Sequence, residues 1–304
     1  MASTFTVAKT AMFYMKPIYF IGFRMSIAGL LLLTYLYLFK REKWQFSRKD
    51  LKLLLSILFF HIYCAYILES WALQYLTSAK TCLLYSLSPF ITALIAYQIH
   101  NQRLSKQKWI ALLVGFCAML PILFDQSPQE KLWSTGSFLS IPEMVLILAI
   151  VSSSFGWITM KELTVGRGYS PLLVNGIGML GGGILAFITA IVFEGSSIFM
   201  YSMPEDLAGK LLLPHFGWHA TCIIMAIATM VYLIIVANII GYNLYSYLLS
   251  RYSPTFLSFA GFITPFFASI IGWIFLSESL SVPFCVSLVL TMISLFIFYK
   301  QEVT

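Results

Sequence analysis

Apolar residues in this chain come in long unbroken stretches rather than in alternation. Runs of about 17–25 residues, the length that crosses a hydrocarbon layer as a helix, fall near 18–39, 51–73, 79–99, 107–124, 143–162, 172–193, 218–248, 254–276 and 282–299. The run at 218–248 is long enough to tilt or to extend past the membrane. Strands of a half-buried sheet would show period-two alternation, which these runs lack. The pattern predicts an all-α, polytopic membrane protein.

The runs also repeat. F-T-V-A-K-T-A-M-F-Y-M-K-P at 5–17 is echoed by F-G-W-I-T-M-K-E-L-T-V-G-R-G-Y-S-P at 155–171. A-K-T-C-L-L-Y-S-L-S-P-F at 79–90 is echoed by T-F-L-S-F-A-G-F-I-T-P-F at 255–266, and N-Q-R-L-S at 101–105 by S-E-S-L-S at 277–281. Nine runs do not split into equal halves, but residues 1–9 pair with the end of the 143–162 run. Nine helical residues rise only about 13 Å, so Met1 is expected in or just before the tail of a tenth helix, short or incomplete in this chain. The start lacks the basic, apolar and cleavage regions of a signal peptide. The expected plan is a ten-helix, 5+5 repeat: residues 1–125, an outer connection at 126–142, and residues 143–300.

Composition strengthens the membrane reading. Sixty per cent of residues are hydrophobic and ten per cent charged, with mean hydropathy +0.86. A soluble core of this size does not hide so much apolar surface. Net charge is +7, yet no basic, aromatic-interleaved patch suits nucleic acid. The five cysteines each fall inside an apolar run, without CxxC spacing, and read as small apolar side chains.

The basic residues set orientation. With both termini cytoplasmic, inward loops and the tail collect Lys40, Arg41, Lys43, Arg48, Lys49, Lys52, Arg103, Lys106, Lys108, Lys161, Arg167, Arg251 and Lys300. Outward segments keep Lys9, Lys16, Lys80, Lys131 and Lys210, with Asp125, Glu130, Glu143, Glu194, Glu205 and Asp206. This is the positive-inside bias, which the opposite orientation would reverse; the expected location is a bacterial inner membrane. An odd number of spans per repeat then makes the second half enter the membrane inverted.

At this point the chain resembles the EamA-type drug/metabolite transporters. The likeness is carried by T-F-T-V-A-K-T-A-M with Pro17 and Arg24, by W-A-L-Q-Y-L-T-S-A-K leading to Pro89 and N-Q-R-L-S, and by Y-S-Y-L-L-S-R-Y-S-P-T leading to Pro265 and L-S-E-S-L-S. Their order across both halves is the specific signal. The family usually has Glu in this repeated turn; Glu278 keeps it in the second half and Gln102 does not in the first. The resemblance implies ten helices and solute transport by alternating access. As a whole, the sequence is also similar to the S-adenosylmethionine carriers of host-dependent bacteria. No short motif carries that second likeness, which implies exchange for S-adenosylhomocysteine; export of amino acids or drugs is the alternative within the superfamily.

Several residues are candidates for solute contact. Thr81, Tyr85, Ser88 and Thr92 lie at i, i+4, i+7 and i+11, one helix face. They read either as cavity wall or as the hydroxyl packing that joins membrane helices. Asn238 and Tyr242 form a second stripe with Tyr245, which reads as an interfacial anchor. Glu69 is an acid inside an apolar span, suited to a sulfonium or ammonium group; the competing reading pairs it with Lys80 or Lys9. Lys9 reads as a contact for a carboxylate or as a snorkelling lysine. Trp157 is a stacking candidate, whereas Trp71 at a helix end reads as an anchor. Arg24 reads as a structural partner of a neighbour. Asn175 precedes Gly178-x-x-x-Gly182, a close-packing pattern. Pro89 and Pro265 hold matching places and are candidate gating kinks.

Other chemistry finds little support. His215-x-x-x-His219 lacks HExxH and a third ligand, so no metal is expected. His61 reads as a proton relay or as a satisfied core histidine. No Walker motif or other cofactor signature is present. A polytopic enzyme acting on lipid would want a polar catalytic cluster or G-x-S-x-G, and a channel would want pore loops or charge rings. The expected partners are a small-molecule solute and membrane lipid, with monomer and homodimer both open.

Overall fold

The computed structural model describes residues 2–40, 47–100, 106–118, 120–124, 128–133, 139–199, 218–252, 257, 263–276, 278 and 281–303. Its elements are helices, and the described residues contain only one isolated bridge, Met15 with Phe199. In order they are α1 (Ala2–Ala11), α2 (Pro17–Lys40), α3 (Leu51–Leu73), α4 (Ser78–Tyr85), α5 (Ser88–His100), α6 (Lys106–Ala118), α7 (Leu120–Phe124), α8 (Pro128–Lys131), α9 (Ile141–Gly166), α10 (Pro171–Phe193), α11 (218–248), α12 (Ile263–Leu276) and α13 (Val282–Val303).

Six apolar stretches are long enough to cross a membrane among the described residues: α2, α3, α4 with α5, α9, α10, and Ile223–Leu248 of α11. Leu113–Leu123, Thr264–Leu276 and Val282–Ser294 are shorter apolar helices. Thus the long run read at 254–276 is described as helix only from Ile263. The first helix has ten residues. The turn with Gln102, the charges Arg41, Lys43, Arg103, Asp125, Glu205, Asp206 and Lys210, and His215 of the His–x–x–x–His pair lie outside the described residues.

Large apolar side chains stand bare on the outside of the bundle. Phe39 is 74% exposed, Phe193 79% and Phe296 68%. Water would penalise such a surface by roughly 25 cal/mol per Å2 of apolar area, whereas lipid does not. The buried core is built at the other faces, with Tyr14, Phe20, Met25, Leu73 and Met179 fully enclosed among α1, α2, α3 and α10.

Small residues allow the closest packing. A Cβ at Gly182 would sit 2.7 Å from Ile62 Cγ2 and 3.1 Å from the Leu58 carbonyl, and one at Gly178 would sit 3.3 Å from Ile57 Cγ2. A Cβ at Gly183 would meet the Ser26 amide. The glycine run of α10 is therefore pressed against α3 on one side and α2 on the other, as its small-xxx-small spacing predicts.

Helix starts are set by proline and by borrowed caps. Pro17, Pro142 and Pro171 occupy first-turn positions, where a missing N–H costs nothing. Lys16 offers α2 no side-chain cap; Glu194 instead accepts from the Ile18 and Tyr19 amides, both at 3.0 Å. The carboxylate that ends α10 thereby closes the start of α2. Ser140 and Glu143 form a capping box on α9.

The stretch read as one span at 79–99 is broken. Ser86 and Leu87 make tight turns back to Leu83 and Leu84, and α5 begins at Ser88. Pro89 explains the break: it donates no hydrogen bond and its ring crowds the carbonyl one turn earlier. Four π-helical stretches occur among the described residues: Leu36–Lys40 ending α2, Ile57–Cys64 within α3, Glu162–Gly166 ending α9 and Ile234–Gly241 within α11. Such widened turns recur where helices carry function, and the two inside helices hold His61 and Asn238.

Candidate functional site

A cavity of about 210 Å3 opens between α1, α2, α3, α4, α9, α11 and α12. Its polar wall comes from Thr4, Arg24, Glu69, Tyr85, Ser86, Ser88, Ser153 and Thr264. Its aromatic wall comes from Phe5, Tyr66, Trp157, Tyr242 and Tyr245. The break between α4 and α5 delivers Tyr85, Ser86 and Ser88 to this space, because a helix turn is opened there.

Two opposite charges face the cavity. The Tyr85 hydroxyl donates to Glu69 Oε2. Arg24 is 4% exposed, its Nε donates to Asn238 Oδ1 at 2.7 Å, and its guanidinium carbon lies 5.2 Å from the centre of the Tyr66 ring. Asn238 is held in turn by Nδ2 contacts to Met25 Sδ at 2.9 Å and Met179 Sδ at 3.8 Å. A lone ion at membrane depth is costly. Here the guanidinium and the carboxylate line the same cavity.

The aromatic wall is a close cluster of tilted rings. Trp157 lies 5.0 Å from Tyr242 and 4.1 Å from Tyr245, centre to centre. Behind it, His61 meets Trp157 edge-on at 4.4 Å and Tyr242 at 5.4 Å. His61 is fully buried and does not line the cavity. Gly156 makes room for it, since a Cβ there would land on the imidazole ring.

Of the residues singled out in the sequence, Glu69, Tyr85, Ser88, Trp157 and Tyr242 meet at this cavity. Ser88 also bonds Ser154 at 3.3 Å, so it joins helices as well. Thr81 and Thr92 are buried away from it. Asn238 stands behind the wall, bound to Arg24. Asn175 does not line the cavity; its amide donates to Asn243 Oδ1 at 2.9 Å and Ser246 Oγ at 3.0 Å, tying α10 to α11.

Lys9 points elsewhere too. Its Nζ donates to the Leu76 carbonyl at 2.7 Å and to Glu278 Oε1 at 3.2 Å. Glu278 also accepts from Ser78 N at 2.8 Å, Ser78 Oγ at 2.7 Å and Ala79 N at 3.3 Å. With Thr77 taking the Lys80 amide, the first turn of α4 is fully capped, and the carboxylate sits at the positive end of the helix. Lys80 lies between Glu130 and Glu143, at 2.7 Å from each. Both lysines that the alternative reading would pair with Glu69 are bound to other acids, Lys9 to Glu278 and Lys80 to Glu130 and Glu143. Pro89 and Pro265 are buried near the starts of α5 and α12.

Three readings change. Arg24 lines the cavity in addition to holding a neighbour. Tyr245, read as an anchor, packs against Trp157 and lines the cavity. Phe5 and Tyr66 supply aromatic surface that the sequence reading passed over. A charge within an apolar span was the available signal for Arg24; Phe5 and Tyr66 carried none, because aromatic residues are common throughout the spans.

A chain with this fold and cavity belongs to the EamA-like transporter family, which matches residues 1–124 and 140–300. It is a multi-pass membrane transporter and not an enzyme. Among its relatives is the S-adenosylmethionine/S-adenosylhomocysteine transporter of Chlamydia muridarum, 33% identical over 282 residues, covering 91% of this chain and 81% of that protein. The transporter of the same name in Chlamydia trachomatis serovar L2 is 34% identical over 284 residues, covering 91% and 79%. A solved crystal structure shares the fold, with TM-score 0.67 at 14% identity over 100% of this chain and 95% of that one.

Proposed function

We propose that this transporter is a secondary carrier exchanging S-adenosylmethionine for S-adenosylhomocysteine by alternating access. The observation that carries the reading is one cavity holding a carboxylate, Glu69, beside an aromatic wall. A sulfonium is a fixed cation, which a carboxylate and aromatic faces both attract. The adenine ring is planar and stacks on Trp157, Tyr242 or Tyr245. Tyr85 and Ser88 offer hydroxyls to the sugar. The relatives named for these two solutes support the same choice.

The two halves, residues 1–125 and 143–300, are inverted repeats in this reading, and the cavity belongs to both. Pro89 and Pro265 mark the places where the walls bend as access alternates. Lys9, bound to Glu278, belongs to the closure at one end of the bundle rather than to the solute. Asn175 and Asn238 brace the walls. In this reading the protein lies in a bacterial inner membrane with both termini cytoplasmic, an orientation that the positive-inside bias supports.

Counterflow tests the proposal. Liposomes containing the purified protein and preloaded with S-adenosylhomocysteine should accumulate labelled S-adenosylmethionine above the level of protein-free liposomes. Equal labelling of both, or uptake indifferent to the internal solute, overturns it.

A further inference from the structure

The structure assigns Arg24 the role of a specificity-determining residue that receives the α-carboxylate of the solute's amino-acid end, with Asn238 as its positioning residue. The assignment rests on the adenosyl-amino-acid reading above and adds what neither the fold nor the aromatic wall requires. An adenosyl group with a cationic centre is served by Glu69 and the clustered rings. Nothing in that pairing explains a guanidinium on the same cavity.

The geometry supports an anion-binding role. Arg24 is nearly enclosed, at 4% exposure, yet lines the cavity. Its Nε is taken by Asn238, and its guanidinium carbon lies 5.2 Å from the centre of the Tyr66 ring. Asn238 cannot turn away easily, since its amide is fixed by Met25 and Met179 and its backbone lies in a π-helical stretch. The fork of an arginine whose Nε is already held presents its terminal nitrogens in a fixed direction, and carboxylates suit that fork. Glu69 lies on the same cavity, bound by Tyr85. Arg24 and Glu69 are thus opposite poles on one small cavity: the carboxylate faces the cationic sulfur, and the guanidinium receives the α-carboxylate.

A purely structural arginine would make a different prediction. It would hold α2 to α11 through Asn238 and be indifferent to the solute's charge. The two cases separate with ligands that differ only in the carboxylate. S-adenosylhomocysteine and its decarboxylated analogue share the adenosyl group, the thioether and the ammonium. Calorimetric titration of the full-length protein in detergent should show the analogue binding roughly tenfold or more weakly. R24Q should weaken S-adenosylhomocysteine tenfold or more, while the analogue, a cation with no carboxylate for Arg24 to receive, loses no affinity. That retained affinity also shows that the variant is folded. N238A should shift in the same direction by less.

Equal binding of both ligands by the unmutated protein overturns the assignment, whatever R24Q does. Equal fold-losses for both ligands in R24Q overturn it as well, and leave Arg24 a structural tie. Binding of neither ligand by the unmutated protein sinks the adenosyl reading itself and the Arg24 assignment with it.

Discussion

Glu69→Gln keeps a hydrogen-bond acceptor for Tyr85 and removes only the negative charge. In the proposed exchange, uptake of cationic S-adenosylmethionine should fall roughly tenfold or more, while uptake of the uncharged-sulfur product falls less. Parallel uptake assays with the two labelled solutes decide it, and equal losses sink the role of Glu69. A second change reads out packing. Gly156→Ala would gain about 1 kcal/mol of helix propensity, but the new Cβ collides with His61. Overpacking of this kind costs about 1–3 kcal/mol, so the clash should win and the thermal-shift midpoint should drop. Trp157, pressed by His61, should also lose its register and weaken solute binding; an unshifted midpoint counts against the contact. At this scale the sequence was partly legible. Glu69, Tyr85, Trp157 and Tyr242 stood out because polar or stacking groups inside apolar spans need a reason to be there. Arg24 stood out as well, but its chemistry depends on what lies across the cavity, and spacing along one helix does not show that.

Helix ends are closed by distant carboxylates. Glu194 serves α2, and Glu278 serves α4 while also holding Lys9 of α1. Because Glu278 keeps its amide and hydroxyl donors when Lys9 is removed, Lys9→Met alone should lower the thermal-shift midpoint modestly. Glu278→Gln should lower it more, and the double variant should lose less than the two shifts together. The coupling expected for contacting groups is about 0.5–3 kcal/mol; strictly additive shifts would mean that the pair contributes no shared stability. The spans themselves were plain in the sequence, since length and apolarity define them. The glycine run of α10 also behaved as its spacing predicts. The break at Ser86–Leu87 was hidden inside a continuous apolar run, although Pro89 was its visible cause. Caps supplied from more than a hundred residues away leave no local signature, so neither Glu194 nor Glu278 announced its partner.

For the whole molecule, the proposed orientation has a direct check. Carboxy-terminal fusions should give a fluorescent cytoplasmic reporter and an inactive alkaline phosphatase, which needs the exported side. An active phosphatase would invert the topology and with it the assignment of outer and inner ends. Overall architecture was legible because a membrane restricts the choice to bundled helices once the spans are known. How those helices cross was not legible, and the cavity is a product of the crossings. Its walls gather side chains from Thr4 to Thr264.

The enclosed lysine between Glu130 and Glu143 has an experimental use. At 2% exposure, Lys80 is sealed off beside the first turn of α4. A water-soluble amine-reactive label cannot reach it while that end of the bundle stays shut. Its labelling rate, followed by mass spectrometry as solute is added or withdrawn, would act as a clock on how often the carrier unseals there.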